Sequence, residues 1–440
     1  MSARWAGRHL HLVGIGGAGM SGYALAAAAL GAQVSGSDRD DSPLLAELRA
    51  AGIDARPGHA AEHLPDEPSL EVVCSSAVPP DNPEVAEAHR RGLPVLARAA
   101  LLGELTTLRR TIAVAGAHGK TTTSSMIAHI LITCGLDPGY LIGGRLRSTG
   151  LGAAWGSGEW LVVEADESDR SMLALDVEIA VVTNVELDHH ATYGSLGELR
   201  EVFREFLDGP QAAVLWDRPD LLALRAGETV AFDDCGADLG EGTSALVWRG
   251  HRVFVPVPGR HNARNAVAAL EAARLAGAPE AEAVTALASF AGAGRRFEQL
   301  GTAARGALVV DDYAHHPTEV AATIAAARSL GRGRVVVVFQ PHLYSRTRQL
   351  AGAFGRALAA ADVVCVLEVY PAREQAQDFP GVGGLLIAEA AADAAAGREV
   401  FWLPAFDDAE RVLRERLRSD DVCLVLGAGD VRVLGERLVA

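Results

Sequence analysis

The feature that most constrains the fold of this sequence is the loop Gly116-Ala-His-Gly-Lys-Thr-Thr-Thr123, which lies between two apolar runs. Thr111–Ala115 before it is typical of a buried strand, and Ser124–Leu131 after it is typical of a helix. In such a strand–loop–helix unit, glycines let backbone N–H groups approach phosphate, a lysine reaches the β- and γ-phosphates, and a threonine hydroxyl binds Mg²⁺. The loop therefore predicts an ATP site, against the alternative of a glycine turn beside a helix cap.

Lys120 is the only lysine among the 440 residues, and the other 39 of the 40 Lys and Arg residues are arginine. The wide planar guanidinium of arginine fits a narrow phosphate loop poorly, whereas the compact ammonium of lysine fits it well. The single lysine thus stands at the one position where phosphate binding requires it.

Strand-like runs alternate with helix-like stretches along the whole chain, which is the pattern of parallel sheets covered by helices. A chain of this length exceeds one ordinary domain. We predict three α/β units in a row, with a second unit starting near residue 110 and a third after the break at Gly292–Arg296. The clearest predicted strands are His9–Val13, Thr111–Ala115, Trp160–Val163, Ile179–Val182, Val335–Phe339 and Val422–Leu426.

Composition excludes several classes of protein. The net charge of −16 argues against a general nucleic-acid or anionic-membrane surface. Five scattered cysteines without a CxxC pair indicate reduced thiols rather than a disulfide framework or a cysteine metal site. No run is long and apolar enough for a membrane span, and no signal pattern is present. We therefore expect a cytoplasmic protein that does not insert into membranes.

A second glycine loop, Gly14-x-Gly16-x-x-Gly19, follows the first predicted strand, and Asp38 lies nineteen residues beyond Gly19. This spacing matches the dinucleotide fingerprint, in which a diphosphate sits on a helix N-terminus. NAD, FAD and a UDP-sugar all carry a diphosphate, so the loop alone leaves a nicotinamide-dependent oxidoreductase open.

Polar and acidic residues follow two strands of the predicted α/β unit that starts near residue 110. Glu164-Ala-Asp-Glu-Ser-Asp169 places four carboxylates in six residues, and such groups repel one another unless a cation lies among them. Because Mg²⁺ accompanies ATP in phosphoryl transfer, Glu164 and Thr121 are natural ligands, against the alternative of a solvated acidic turn. The segment Thr183–His190 could supply a metal ligand, a base or a polar cap.

Histidine, tyrosine and arginine cluster after two predicted strands of the third unit, at Asp311–Glu319 and Gln340–Arg348. These residue types in one place indicate an anion- or carboxylate-binding surface, with a plain polar loop as the alternative.

Taken together and in this order, the motifs resemble those of the Mur ligases of peptidoglycan synthesis, and the resemblance covers nearly the whole chain. The matching segments are His11-Leu-Val-Gly-Ile-Gly-Gly-Ala-Gly-Met-Ser-Gly22, the loop 116–123, Glu164–Asp169, Asn184-x-Glu186-x-Asp188-His189, Pro258-Gly-Arg-His-Asn-Ala-Arg-Asn265, Arg295-Arg-Phe-Glu298, Asp312-Tyr-Ala-His-His-Pro317, Gln340-Pro-His342 and Leu426-Gly-Ala-Gly-Asp430.

The resemblance implies three domains: a Rossmann-like UDP-sugar-binding domain at 1–107, a central phosphate-loop ATPase at 108–293 and a Rossmann-like amino-acid-binding domain at 294–440. It implies the use of ATP and Mg²⁺ to join L-alanine to the lactyl carboxylate of UDP-N-acetylmuramate through an acyl phosphate. The implied partners are these two small molecules and no nucleic acid, with the chain a monomer or weak homodimer.

The resemblance also implies roles for individual residues. The implied catalytic residues are Lys120, His189, His315 and Arg346. The implied ATP-binding residues are Gly116, His118, Gly119, Lys120, Thr121, Thr122, Asn262, Asn265, Arg295 and Arg296. The implied UDP-sugar-binding residues are Gly14, Gly16, Gly17, Ala18, Gly19, Asp38, Ser75 and Ser76. The implied metal ligands are Thr121, Glu164 and His189.

Some positions depart from the family pattern. Ala117 stands where the family commonly has threonine, which matters little because backbone N–H groups contact the phosphates. Leu343 replaces a frequent arginine, which puts one basic contact to the substrate in question. A chain with one lysine cannot carry the second, carbamylated lysine of several sister ligases. The alternatives are a ligase that joins a tripeptide to the same UDP-sugar, a nicotinamide-dependent oxidoreductase and a non-catalytic nucleotide-binding regulator.

Overall fold

The N-terminal apolar runs form a five-stranded parallel sheet in the order β3-β2-β1-β4-β5. The computed structural model describes residues 5–188 and 192–440. The strands of this sheet are β1 (His9–Val13), β2 (Gln33–Asp38), β3 (Asp54–Pro57), β4 (Leu70–Cys74) and β5 (Val95–Ala97). The helices of this region are α1 (Ala18–Ala29), α2 (Pro43–Ala50), α3 (Pro83–Arg90) and α4 (Arg98–Thr106).

Local sequence explains where these helices begin. Ser42 caps α2 by accepting a hydrogen bond from the backbone N–H of Leu45, and Asn82 caps α3 in the same way through Glu84. A proline follows each cap at the first helical position, where its missing N–H costs nothing. Helix α1 differs, because it begins after Gly17 without a side-chain cap. Its first N–H groups are therefore available to a ligand.

The central sheet has seven strands in the order β12-β11-β10-β6-β9-β7-β8. All neighbours are parallel except the antiparallel pair β7–β8. The strands are β6 (Arg110–Ala115), β7 (Gly139–Leu146), β8 (Leu151–Ala154), β9 (Trp160–Glu164), β10 (Ile179–Val182), β11 (Ala212–Trp216) and β12 (Thr229–Phe232). The helices are α5 (Lys120–Thr133), α6 (Leu196–Asp208) and the short α7 (Pro219–Leu222).

The burial of these elements follows from their sequences. Strands β6, β9 and β10 are buried over nearly their whole length, as continuous apolar runs in a parallel sheet should be. Helix α6 instead buries one stripe and exposes its charged side. The buried residues of α6 follow helical spacing: Leu199, Val202, Phe203, Phe206 and Leu207.

The predicted alternation of strands and helices is wrong for the stretch of chain that follows the seven-stranded sheet and precedes the last sheet. A three-stranded antiparallel sheet stands there, formed by β13 (Asp238–Gly240), β14 (Thr243–Trp248) and β15 (His251–Val255). Two helices follow, α8 (Arg260–Leu275) and α9 (Glu280–Ala288).

The last sheet has six strands in the order β16-β17-β21-β18-β19-β20, and only the β16–β17 pair is antiparallel. The strands are β16 (Glu298–Thr302), β17 (Leu308–Asp312), β18 (Val335–Phe339), β19 (Val363–Val366), β20 (Glu399–Trp402) and β21 (Val422–Leu426). The helices are α10 (Pro317–Arg328), α11 (Tyr344–Leu358), α12 (Gly384–Ala394), α13 (Phe406–Arg416) and α14 (Arg432–Val439).

The chain forms two compact units. The first contains the residues up to Asp233 together with Asn265–Leu287, and one hydrophobic cluster in it includes Leu12 of β1 and Val163 of β9. This unit holds both the five-stranded and the seven-stranded sheet. The predicted domain ranges 1–107, 108–293 and 294–440 stay a prediction.

The second unit contains Asp234–Arg264 and Ala288–Ala440. Alternate residues of β18 enter clusters on opposite faces of its six-stranded sheet, with Val337 in one cluster and Val338 in the other. Among the helices of residues 5–188 and 192–440, none is both long and apolar enough to cross a membrane.

Candidate functional site

The predicted phosphate loop connects β6 to α5, and glycine is required at both of its ends. Gly116 has φ of +131° and Gly119 has φ of +83°, which L side chains rarely adopt. A Cβ atom on Gly116 would lie 2.3 Å from Oγ1 of Thr183, and one on Gly119 would lie 2.8 Å from Oδ1 of Asn265. The loop is therefore closely packed from two sides, by Thr183 and by Asn265.

Residues at the end of β10 fix the middle of the loop. The backbone N–H of His118 donates to Oδ1 of Asn184 at 3.0 Å. The carbonyl of His118 accepts from Oγ1 of Thr183 at 2.6 Å and from Nδ2 of Asn184 at 2.8 Å. The imidazole Nε2 lies 3.4 Å from a carboxylate oxygen of Glu186. Asn184 thus has a clear structural role that the sequence analysis did not assign.

Lys120 begins α5 and points back across the loop. Its Nζ donates to the carbonyl of Gly116 at 2.5 Å and to both carboxylate oxygens of Glu167, at 3.0 and 2.9 Å. Burial lowers the pKa of the ammonium, but the attraction of Glu167 and neighbouring carboxylates outweighs burial, so the pKa lies above its ordinary value. Lys120 is therefore charged at neutral pH.

The segment Glu164–Asp169, here called the acidic loop, separates its carboxylates among different partners. Glu164 lies beside the phosphate loop, with Oε2 3.2 Å from Oγ1 of Thr121. Glu167 binds Lys120, as described above. Asp166 and Asp169 both accept from the guanidinium of Arg98, at 2.6 and 2.8 Å. The repulsion that the sequence predicts is thus relieved in part by two protein cations, and Arg98 was not predicted.

The residues predicted to hold Mg²⁺ fit a hard cation. The hydroxyl of Thr121 and the carboxylate of Glu164 are adjacent oxygen donors, the ligand type that Mg²⁺ prefers. Glu164 is also oriented by a 2.7 Å hydrogen bond from the backbone N–H of Gly143. His189, the third predicted ligand, lies outside the described residues.

The glycine loop at 14–19 connects β1 to α1 and is fixed by the end of β2. The backbone N–H groups of Gly14 and Ile15 donate to the carbonyl of Ser37, at 2.8 and 2.9 Å. The N–H of Gly16 donates to Oδ2 of Asp38 at 2.9 Å. Asp38 therefore supports the loop directly, whatever else it binds.

The remaining predicted UDP-sugar residues surround this loop. A Cβ atom on Gly14 would lie 2.9 Å from Cβ of Ser75, so Ser75 is in close contact with the loop, and Ser76 beside it is exposed. Gly17 is exposed before the uncapped start of α1, which contains Ala18 and Gly19. These positions leave the helix N-terminus accessible to an anion.

The buried carboxylate of Glu84 supports the same glycine loop indirectly, through Ser37. It is 0% exposed and accepts from Oγ of Ser37 at 2.6 Å, with His11 Nε2 at 3.3 Å and His63 Nδ1 at 3.1 Å. Burial raises its pKa, but the hydrogen bonds from His11 and Ser37 outweigh burial, and the pKa lies below its usual value. Since Ser37 also holds Gly14, this network fixes the loop. No local motif in the sequence indicated it.

In the second unit, Arg295 is bound on several sides. Its guanidinium contacts Asp311 at 3.3 Å and donates to the carbonyls of Gly427 at 2.7 Å and Gly429 at 3.2 Å. It also lies 4.9 Å from the ring centroid of Tyr313. Arg296 lies 5.1 Å from the same ring. The two predicted arginines therefore flank Tyr313.

His315 and Arg346 are brought together through His342. The rings of His315 and His342 are edge to face at 5.9 Å, and Nη1 of Arg346 lies 3.2 Å from Nδ1 of His342. The carbonyl of Tyr313 accepts a hydrogen bond from Nδ1 of His315 at 2.9 Å. Tyr370 stacks on His342 at 5.9 Å. The second unit thus holds a cluster of imidazoles, tyrosines and arginines suited to carboxylates and other anions.

Asn262 is another predicted ATP residue. It lies in the second unit, and its Nδ2 donates to the carbonyl of Pro258 at 2.7 Å.

The buried Leu343 lies at the start of α11 with φ of +67°, so the position where the family often has arginine faces the interior.

Three family models match the chain in sequence order. The model described as "Mur ligase family, catalytic domain" matches residues 9–110, "Mur ligase middle domain" matches 114–273, and "Mur ligase, glutamate ligase domain" matches 295–429.

Similar proteins cover the chain almost completely. The UDP-N-acetylmuramate–L-alanine ligase of Mycobacterium sp. strain JLS is 44% identical, over 98% of this chain and 95% of that protein. The crystal structure of the UDP-N-acetylmuramate–alanine ligase of Thermotoga maritima is 28% identical, with a TM-score of 0.84 and 98% of each chain covered. A murein peptide ligase of Psychrobacter arcticus is 25% identical, with a TM-score of 0.72 and 98% of each chain covered. With its mostly parallel α/β sheets and three-domain architecture, this chain belongs to the Mur ligase family.

Proposed function

We propose that this ATP-dependent ligase joins L-alanine to the lactyl carboxylate of UDP-N-acetylmuramate, the first amino-acid addition in peptidoglycan precursor synthesis. The observation that carries the proposal is the arrangement of Lys120, Thr121 and Glu164 around one phosphate loop, in a chain 44% identical to a ligase of that name. The glycine loop with its uncapped helix supports a second, diphosphate-bearing substrate.

The proposed reaction has two steps. An oxygen of the lactyl carboxylate attacks the γ-phosphorus of ATP, ADP leaves, and an acyl phosphate forms. The amine of L-alanine then attacks the acyl carbon and loses a proton, and inorganic phosphate leaves as the amide forms. Lys120 is placed to neutralise charge on the transferring phosphoryl group, and the rest of the protein's contribution is to position the reactants.

Thr121 and Glu164 are the proposed Mg²⁺ ligands, and their adjacent oxygens support this role. When bound, the ion would neutralise charge on the phosphates. His189 remains a predicted ligand. Gly116, His118, Gly119, Lys120, Thr122, Asn262 and Asn265 remain the proposed ATP contacts.

The cluster around Tyr313 in the second unit is the proposed site for the amino acid and for phosphate contacts. Its pairing of His315, His342 and Arg346 supports binding of a carboxylate. Arg295, which contacts Asp311, and Arg296, which lies 3.8 Å from a carboxylate oxygen of Glu319, both remain proposed phosphate contacts. A cytoplasmic location and a monomer or weak homodimer are proposals that rest on composition and resemblance.

Two alternatives predict different outcomes. The ligase that joins a tripeptide to the same UDP-sugar has the same overall fold, as the similarity to a murein peptide ligase illustrates, and would accept tripeptide instead of L-alanine. A nicotinamide-dependent oxidoreductase would use the glycine loop but leaves the Lys120–Glu167 pair and Glu164 without a function.

Phosphate release from ATP and Mg²⁺ tests the proposal. The assay contains UDP-N-acetylmuramate and, in parallel, L-alanine, glycine, L-serine or the tripeptide. We expect release that requires both the UDP-sugar and L-alanine, with some activity on glycine or L-serine, since one methyl group discriminates by only about 1–3 kcal/mol. Release with the tripeptide alone would indicate the alternative ligase, and no release with any acceptor would contradict a ligase function.

A further inference from the structure

Arg98 lies at the border between the two sheets of the first unit. It is the first residue of α4, directly after β5, so its backbone lies at the end of a strand of the five-stranded sheet. Its side chain is only 16% exposed. A guanidinium that is largely removed from water must be paired, and its partners show what it connects.

Those partners lie on the acidic loop, which follows a strand of the other sheet. Nε donates to Asp169 at 2.8 Å, and Nη2 donates to Asp166 at 2.6 Å and lies 2.7 Å from Asp169. One side of the guanidinium fork therefore holds two carboxylates of a single loop, which restrains the loop in position and orientation.

The third nitrogen of Arg98 faces the glycine loop. A Cβ atom on Gly19 would lie 3.6 Å from Nη1 and 3.6 Å from the hydroxyl of Tyr23. The shortest contacts of Arg98 with Asp166 and Asp169 are made by Nη2 and Nε rather than by Nη1. Gly19 is in the first turn of α1, whose uncapped start is the proposed diphosphate site.

The acidic loop also reaches the phosphate loop. Glu167, next to Asp166 in sequence, holds Nζ of Lys120 at 2.9 Å, and Glu164 lies 3.2 Å from the hydroxyl of Thr121. The main chain of Glu167 is itself fixed by the hydroxyl of the buried Tyr193, which donates to its carbonyl at 2.5 Å. One short loop thus carries both the partners of Arg98 and the partners of the phosphate loop.

We propose that Arg98 is a positioning residue that couples the two substrate sites of the first unit, using Nη1 at the glycine loop and its ion pairs with Asp166 and Asp169. A diphosphate beside Gly19 adds an anion next to Nη1 while Nε and Nη2 keep their carboxylates, because a guanidinium offers five N–H donors. Binding at either site therefore favours the same arrangement of Arg98 and the acidic loop, so each ligand binds more tightly when the other is present. This inference rests on the proposed function.

The test measures the dissociation constant of a non-hydrolysable ATP analogue with Mg²⁺ by calorimetry, with and without saturating UDP-N-acetylmuramate. For the wild type we expect tighter analogue binding with the sugar present, by a factor within the roughly 5- to 150-fold typical of coupled sites. The same factor must appear when UDP-sugar binding is measured with and without the analogue, because coupling is reciprocal.

Two variants probe Arg98, and a third is the matched control. Arg98→Met removes the contacts of the guanidinium with Asp166, Asp169 and the glycine loop. Asp169→Asn weakens the ion pairing between Arg98 and the acidic loop while leaving Arg98 in place. Both should reduce the coupling factor, to near 1 for Arg98→Met, and Arg98→Lys should restore only part of it. Arg145→Met removes the ion pair between Arg145 of β7 and Glu47 of α2, which also connects the two sheet regions of the first unit but at an exposed position. It should leave the factor unchanged.

The outcomes separate this inference from the proposed function. A wild type that releases phosphate with UDP-N-acetylmuramate and L-alanine but shows a factor of 1 would overturn the coupling alone. An unchanged factor in both Arg98→Met and Asp169→Asn would also overturn it, as would an equal loss in Arg145→Met, which would mean that general packing of the sheets is responsible. If Arg98→Met does not fold, as judged by its melting curve, Asp169→Asn decides the matter.

Discussion

At the scale of single residues, the proposed phosphoryl transfer depends most on Lys120. Lys120 is the only lysine of the chain, and its ammonium group donates hydrogen bonds to both carboxylate oxygens of Glu167 beside the phosphate loop. By analogy with the loss of one preorganised electrostatic donor, Lys120→Ala should lower turnover by roughly 10²–10³-fold or more. Lys120→Arg should also be impaired, because the planar fork does not fit the loop. Phosphate release at saturating substrates measures both, with the exposed Arg204→Ala as control.

Loss of stability must be separated from loss of chemistry in this variant. Removing Lys120 takes away the ammonium group that pairs with the buried carboxylate of Glu167, which is destabilising. The double variant Lys120→Ala, Glu167→Gln should therefore melt closer to the wild type than Lys120→Ala does, yet remain inactive. Recovery of turnover in the double variant would show that the lysine is not needed for phosphoryl transfer.

Gly116 gives an independent prediction for the same loop. In Gly116→Ala, the new Cβ would lie 2.3 Å from Oγ1 of Thr183 at φ of +131°, so the loop must shift. We expect the affinity for the ATP analogue to fall at least about tenfold, which corresponds to ~1.4 kcal/mol. Gly209→Ala, where a Cβ meets nothing within 4 Å, is the control and should bind normally. Equal affinities for the two variants would contradict the tight packing of the loop.

At the scale of secondary-structure elements, the sequence predicted the elements that carry the site better than those that surround it. Strands β10, β18 and β21 match their predicted bounds, because continuous apolar runs in parallel sheets are distinctive. The hairpin β7–β8 and the sheet β13–β15 were missed. Strand β7 contains three glycines and β13 is wholly exposed, so neither shows the apolar periodicity on which prediction depends.

The same limit applies to the site. The loops 14–19 and 116–123 were predicted because each is a contiguous motif with a chemical reason for its residues. Arg98 and the Glu84 network were missed, because their partners lie far away along the chain: 68 residues separate Arg98 from Asp166, and 73 separate His11 from Glu84. Only the fold brings such residues together.

The end of β17 gives a prediction about pH. Burial raises the pKa of Asp312 from 3.8 to about 6, against the opposing effects of Arg296 and the backbone N–H groups of Phe297 and Ala314. Between these two values the folded protein holds more protons than the unfolded chain, so this group makes stability fall as pH rises from 3.8 to about 6, by about 3 kcal/mol in total. Above pH 6 the contribution is constant.

Asp312→Asn removes this titration, and because Phe297 and Ala314 donate to different oxygens of Asp312, the amide keeps an acceptor for one of the two N–H groups. Melting temperatures of wild type and variant, measured between about pH 4 and pH 7, report the difference. We expect the wild type to lose stability relative to the variant as pH rises through this range. A constant difference across the range would mean that Asp312 titrates normally in the folded protein.

At the scale of the whole molecule, the two proposed phosphate-bearing ligands belong to the first unit, and the second unit holds an anion-binding cluster. The first unit combines a five-stranded sheet with a glycine loop and a seven-stranded sheet with a phosphate loop, and Arg98 contacts both regions. This arrangement suits a reaction in which a carboxylate of one bound molecule takes a phosphoryl group from another.

The acyl-phosphate mechanism is tested most directly by tracing the oxygen atoms of the lactyl carboxylate. UDP-N-acetylmuramate labelled with ¹⁸O in both oxygens of the lactyl carboxylate is converted with ATP, Mg²⁺ and L-alanine, and the inorganic phosphate is analysed by mass spectrometry. If the carboxylate attacks the γ-phosphorus, each phosphate released should carry one ¹⁸O atom, and the amide product should keep the other. Unlabelled phosphate, formed while the amide is made, would contradict an acyl phosphate and with it the mechanism proposed for this protein.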